Sequence, residues 1–228
     1  MQVIPAIIPK NFNEIKEKVS RVVSFVPYVQ LDLMNGNLCD NVTWPFQEKD
    51  ETSLNSILNE KDGMPYWEDI SYEFHLMIKD AIKDLEFFLK LGASRIIFHI
   101  TKDDDFEEFN ELVKNIDIYV RESVEIGISI NLDVQIESIK KIIPNVDFVQ
   151  CMAIEEVGFQ GKSFDNKVLE KISDLRKEYP ELTISVDGGV NLENAEDLKN
   201  AGADRLVVGS AIFKSLDIEE TIEELKNM

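Results

Sequence analysis

Residues 183–213 read TISVDGGVNLENAEDLKNAGADRLVVGSAIF, and two turns in this stretch decide the fold. The pattern predicts a strand ending in Asp187-Gly188-Gly189, a helix from about Asn191 to Asn200, a second strand, and Gly209-Ser210 opening another helix. An aspartate at a strand's end with a glycine pair behind it can set a carboxylate beside a phosphate. The second glycine turn offers bare N–H groups and a helix N-terminus to the same anion. Taken singly, either turn could be no more than a tight βα connection. Two such turns one βα unit apart match the place where a (β/α)8 barrel builds a phosphate site, after strands seven and eight.

The rest of the chain fits that frame, because short apolar runs alternate with amphipathic segments from end to end. Strands are expected at Val3 to Ile8, Val26 to Met34, Tyr72 to Ile78, Arg95 to Ile100, Glu125 to Asn131 and Asp147 to Ala153, before the two in the quoted stretch. Asn11 can cap a helix running to about Val23. Further helices are expected at Asp80 to Leu91 with a Gly92 stop, Asp105 to Glu122, Gln135 to Ile142, Asn166 to Glu178, and in the acidic segment up to Asn227. Residues 35–69 form a long connection with a helix near Ser53 to Asn59, and the stretch reads as partly an active-site loop. A doubly wound open sheet would place a GxGxxG turn after its first strand, and Ile7-Ile8-Pro9 has none. The expectation is one TIM-barrel domain, α/β in class, spanning residues 1–228.

Composition limits what such a barrel can do. No run of 18 apolar residues suggests a membrane span, and MQVIPAIIPKNF lacks the order of a signal peptide, so a soluble cytoplasmic protein is expected. Cys39 and Cys151 are the two cysteines, with no CxxC, which argues against a disulfide framework or a structural zinc site. A net charge of -20 disfavours nucleic acid as a partner. It also repels an anionic substrate, which must then be held by local dipoles.

Strand parity selects the residues that can do chemistry. Gln30, Asp32 and Met34 share one face of strand two; Glu73, His75 and Met77 share one face of strand three. Gln150 with Met152, and Ser185 with Asp187, do the same on strands six and seven. Polar side chains inside a barrel are costly unless paired or liganded. Asp32, His75 and Asp187 lie nearest the strands' C-terminal ends, where barrel enzymes work, and are expected to converge there. Each alone could cap a loop; all three together suggest a site. Two carboxylates across a pocket can act as acid and base on opposite faces of a substrate. With an imidazole they could also ligate zinc, iron or manganese, and such an ion would stabilise an enediolate. Met34, Met77 and Met152, at similar depth, are either flexible core filler or a cap.

These residues resemble those of the ribulose-phosphate 3-epimerase family, over Ile4 to about Phe213. IPAIIPKNF looks like that family's opening PSILSADF, VQLDLMNG (29–36) like HVDVMDG, YEFHLMI (72–78) like DVHLMV, and GFQGKSF (158–164) like GFGGQxF. SVDGGV and VVGSAIF are similar to its last two motifs. The resemblance implies that Asp32 and Asp187 interconvert the C3 epimers of a ketopentose 5-phosphate through a cis-enediolate. It implies that Asp32, His75 and Asp187 hold a divalent cation (zinc, iron or manganese), and that Met34, Met77 and Met152 form a cap. It further implies that Gly158 to Gly161, Gly188-Gly189 and Gly209-Ser210 surround the phosphate. The family often forms dimers or hexamers, so a homo-oligomer is implied, although no interface is legible here.

Several positions depart from the family pattern. Gln30 stands where the family has its first histidine ligand, and an amide oxygen is a weaker ligand for zinc or iron. Asn35 replaces an aspartate, Ala6 a serine, and one extra residue within Glu155-Glu156-Val157 precedes the loop glycine. His99 is either a substitute ligand or second partner, or a hydrogen-bonded pocket residue. Such changes are compatible with a changed metal, a changed sugar phosphate, or lost catalysis. Related lyases carry a DxKxxD pattern, and Gln30 to Asn35 lacks its lysine.

Overall fold

A computed structural model describes residues 1–47, 51–159 and 161–228. Eight parallel strands close on one another in chain order: β1 Gln2–Ile7, β2 Tyr28–Met34, β3 Ser71–Met77, β4 Ala93–Ile100, β5 Glu125–Ile130, β6 Phe148–Met152, β7 Thr183–Asp187 and β8 Arg205–Val208. Pairing of β1 with β8 seals the barrel, with Gln2 opposite Arg205 and Ile4 opposite Val207. The helices are α1 Phe12–Ser20, α2 Glu51–Leu58, α3 Leu85–Lys90, α4 Phe106–Lys114, α5 Ile118–Ser123, α6 Ile136–Ile139, α7 Lys167–Glu178, α8 Ala195–Ala201, α9 Ser210–Phe213 and α10 Ile218–Asn227. The fold is the expected (β/α)8 barrel. Among the described residues no helix is long and apolar enough to cross a membrane.

The departures from expectation lie in the helices. The segment expected as one helix from Asp105 to Glu122 breaks into α4 and α5, because Asp117 starts a new helix by accepting a hydrogen bond from the Tyr119 N–H. The segment after β3 opens with Asp80 at φ 58° and a 3-10 turn, Ala81–Asp84, before α3 forms. Gly92, at φ 89°, ends α3 as expected. Asn191 does not begin a helix; it and Asn194 both donate from Nδ2 to the Gly189 carbonyl, so α8 starts four residues later than expected. The helix expected near Ser53 is α2, and residues 48–50 before it lie outside the described residues.

Side chains facing outward from the strands, such as Leu31, Leu33, Phe74 and Leu76, pack against the helices to form the main apolar core. Those facing inward are unusually polar. Near the N-terminal ends, register aligns Glu73 with Arg95 and Arg95 with Glu125. Arg95 Nη1 donates to Glu73 Oε2 at 3.3 Å and Nε to Glu125 Oε2 at 3.0 Å, while its guanidinium lies 3.6 Å from the Tyr28 ring centroid. Arg205 adds a bond to Glu125 at 3.1 Å. Burial pushes the Glu73 carboxyl above its usual range, against the pull of Arg95 and Arg205.

Removing one partner of such a buried pair strands the other. Arg95→Met is expected to cost about 3 kcal/mol or more, lowering the melting temperature by roughly 6–12 °C in a chain this long. Adding Glu73→Gln should return much of that loss, and calorimetry on the single and double variants checks it.

Candidate active site

At the other end of the barrel, β2 and β3 run in register so that Asp32 lies opposite His75, and β6 and β7 so that Met152 lies opposite Asp187. These pairings bring ligating atoms of Asp32, His75 and Asp187 within 4.8 Å of one another. His75 Nδ1 is 3.1 Å from Asp32 Oδ1 and 3.7 Å from Asp187 Oδ2. Gln30, fully buried, donates from Nε2 to both acids: 2.8 Å to Asp32 Oδ1 and 2.8 Å to Asp187 Oδ2. Gln150 Nε2 donates more weakly to the same Asp187 oxygen, at 3.3 Å. Desolvation, and then the charge on Asp32, raise the Asp187 carboxyl to about 7, with His75 and the Gln30 amide opposing.

Behind His75 the network continues. His75 Nε2 is 2.9 Å from His99 Nδ1, and His99 Nε2 is 3.0 Å from Asn131 Oδ1, just past β5. Burial, and then the neighbouring His75, hold His99 down at about 3, so it is neutral. With Asn131 Oδ1 accepting from His99 Nε2–H, His99 Nδ1 is left to accept from His75 Nε2–H. His75 Nδ1 is then the ring nitrogen that faces the two acids. His99 is therefore a hydrogen-bonded partner one shell back, not a fourth ligand.

A cleft of about 500 Å³ opens above the acids. Asp32, Asp187, Met77, Met152, Gly158, Gly161, Gly188, Gly189, Gly209 and Ser210 all line it. Met34 does not; it is fully buried under the β6–α7 loop, where a Cβ on Gly158 would stand 3.1 Å from its Sδ. The position expected in the cap is therefore a support beneath it. Asn41 Nδ2 donates to the Gly158 carbonyl at 2.8 Å, tying the long connection after β2 to that loop. Gln160, within the same loop motif, lies outside the described residues.

The Gly188-Gly189 turn needs glycine for local reasons. Gly188 and Gly189 sit at φ 108° and 68°, and a Cβ on Gly189 would fall 2.8 Å from the Phe164 nitrogen. The helix opened by Gly209 is the single turn α9, so an anion there would meet individual N–H groups rather than a long helix dipole.

Lys162 is a lining residue that the sequence motifs did not single out. It is the one lysine or arginine on the cleft wall among the described residues; its ammonium pairs with Glu156 and lies 5.4 Å from the Phe159 ring. Its place within GFQGKSF, beside the loop glycines, was the available signal.

A model described as the ribulose-phosphate 3 epimerase family matches residues 2–213. The ribulose-phosphate 3-epimerase of Helicobacter pylori (strain ATCC 700392 / 26695) is 30% identical over 233 residues, covering 100% of this chain and 98% of that protein. That of Bacillus subtilis (strain 168) is 26% identical, covering 99% and 98%. Among solved structures, 3-keto-L-gulonate-6-phosphate decarboxylase from Vibrio cholerae aligns with TM-score 0.69 at 13% identity, covering 100% of this chain and 95% of that one. The 3-hexulose-6-phosphate synthase from Salmonella typhimurium aligns with TM-score 0.67 at 15% identity, covering 100% and 97%. The structural likenesses concern the fold alone. Taken with the match across residues 2–213, the sequence relatives show that the chain belongs to the ribulose-phosphate 3-epimerase family, isomerases acting on carbohydrate phosphates.

Proposed function

We propose that the protein epimerises a ketose phosphate at C3, with ribulose 5-phosphate and xylulose 5-phosphate as the substrate pair. The observation that carries this reading is the pair of acids, Asp32 and Asp187, bridged by one amide at the floor of a cleft whose rim is built from glycine turns. One carboxylate, ionised, takes the C3 proton from one face of the sugar. The other, protonated, returns a proton from the opposite face, and the next turnover runs the reverse way. Without an ion in the site, the Asp187 carboxyl is raised to about 7, which suits the protonated partner.

The residues present fit a divalent cation. Asp32, His75 and Asp187 offer two carboxylate oxygens and an imidazole nitrogen, and Gln30 Oε1 is a buried oxygen without a hydrogen-bond partner among the described residues. Bound there, the ion would act as a Lewis acid for the negative charge that develops on the sugar's oxygens. Buried Met77 and Met152 line the cleft, so the reacting carbon sits against an apolar wall that keeps water from the carbanionic centre. Backbone N–H groups of the Gly188-Gly189 and Gly209-Ser210 turns hold the phosphate. Lys162 supplies positive charge in a chain whose net charge is -20.

Asp32→Asn and Asp187→Asn should each lower kcat by about a thousandfold or more, the upper part of what a positioned acid or base contributes. Each should also abolish exchange of the C3 hydrogen with D2O, followed by NMR; exchange persisting in both variants overturns the two-acid reading. Gly189→Ala forces the phosphate turn to move and should raise KM about tenfold with a smaller change in kcat, equivalent to about 1.4 kcal/mol of lost phosphate binding. His99→Leu leaves His75 Nε2–H without an acceptor and should cost about 1–3 kcal/mol in urea unfolding. His99→Gln, which restores an oxygen acceptor, should recover most of it.

A further inference from the structure

The donor-bearing side chains around the acids are spaced like a coordination set in which one member presents the wrong end. Ligands at right angles around a divalent cation, each at about 2.1 Å, stand about 3 Å from one another. The Gln30 amide tip is 2.8 Å from Asp32 Oδ1 and 2.8 Å from Asp187 Oδ2, and His75 Nδ1 is 3.1 Å from the first of these oxygens. The tip, however, is Nε2, and an amide NH2 group donates only. The other end of the same amide, Oε1, is buried and unpartnered among the described residues.

The two atoms exchange by rotation about χ3, a broad two-fold torsion that needs no backbone movement. Without a cation that exchange is opposed, since it would bring a third oxygen against two acidic oxygens. With a cation between the acids, the donors become repelled and the oxygen becomes the atom the site lacks. We propose that Gln30 works in both orientations. Its NH2 group clamps Asp32 and Asp187 together while the ion is absent, and its Oε1 ligates the ion on arrival. This rests on the metal-assisted part of the proposed function, and gives the chain an acid pair that stays assembled with or without metal.

Chelator-stripped wild-type, Gln30→Leu and Gln30→Glu proteins, titrated calorimetrically with Mn2+ and separately melted in EDTA, test it. Leucine removes both roles: the metal-free melting temperature should fall by about 4 °C or more, and Mn2+ affinity by about tenfold. Glutamate cannot donate but ligates well, so its metal-free protein should melt lower while binding Mn2+ more tightly than wild type. Equal or tighter Mn2+ binding by Gln30→Leu overturns the proposal, because the amide would then merely compete with the ion. An unchanged metal-free melting temperature overturns the clamp. If Gln30→Leu is too unstable to titrate, Gln30→Glu decides: tighter binding supports the exchange and weaker binding refutes it. Epimerase turnover measured on the same wild-type sample separates the two readings. Mn2+ binding with this variant pattern but no turnover sinks the epimerase and keeps the exchange; turnover without Mn2+ binding does the reverse.

Discussion

Two acids facing each other in a nearly dry cleft repel, and the rest of the site follows from how that repulsion is met. Asp32 and Asp187 have side chains only 8% and 13% exposed, so solvent screens them little. Two remedies are visible: neutral donors placed on their oxygens, and a proton retained on one of them. Gln30 supplies the strongest donors, with two bonds from one nitrogen, and Gln150 adds a longer one. Neither amide carries charge, so neither fully offsets the mutual repulsion, and Asp187 keeps an affinity for protons at neutral pH. On the proposed reading, neutral amides hold the two acids together without neutralising them, which leaves Asp187 able to keep the proton that is to be returned.

The barrel around them holds two polar layers apart. Glu73, Arg95, Glu125 and Arg205 pair near the N-terminal ends, while the acids and His75 meet near the C-terminal ends. Apolar filler also faces inward: Ile4, Ala6 and Val207 cluster together, and the Phe148 ring, 4.8 Å from the Arg205 guanidinium, occupies the space that Gly127 leaves by lacking a side chain. A methyl on Gly127 would fall 2.5 Å from that ring, so the small residue and the large one form a matched plug.

Strand parity made most of this legible before any coordinates. Side chains alternate with a period of two, so knowing the strand ends was enough to place Gln30, Asp32, Glu73, His75 and Gln150 inside, and the half-buried Asp187 at the mouth. Parity says nothing of which end of an amide points where, and so Gln30 read as a doubtful ligand when it sits as a donor. Nor does it cover residues beyond a strand. Asn131, one step past β5, went unnoticed although it fixes the ring protons of His99. Met34 had the right parity for the cap but lies under the loops, because depth at a strand's end depends on what folds over it. Helix breaks escaped for the opposite reason. The apolar period continues through Asp105 to Glu122, and the signal that divides it is a single capping aspartate, Asp117.

Charge at the cleft's rim completes the account. The chain's overall field opposes any phosphate, and the only cation on the cleft wall among the described residues, Lys162, already pairs with Glu156. That glutamate belongs to the stretch carrying the extra residue before the loop glycine, so the neutralising partner lies within the chain's own departure from the family pattern. A lysine so paired contributes little at long range, so on the proposed reading a phosphate is gripped at short range by N–H groups in the two glycine turns. Gly189 is the hinge of that arrangement. Asn191 and Asn194 anchor its carbonyl from behind, and Phe164 packs where any side chain would project. The turn's left-handed backbone is held in place by its neighbours, which on the proposed reading lets uncharged amides do what a ring of lysines would do in a more basic barrel.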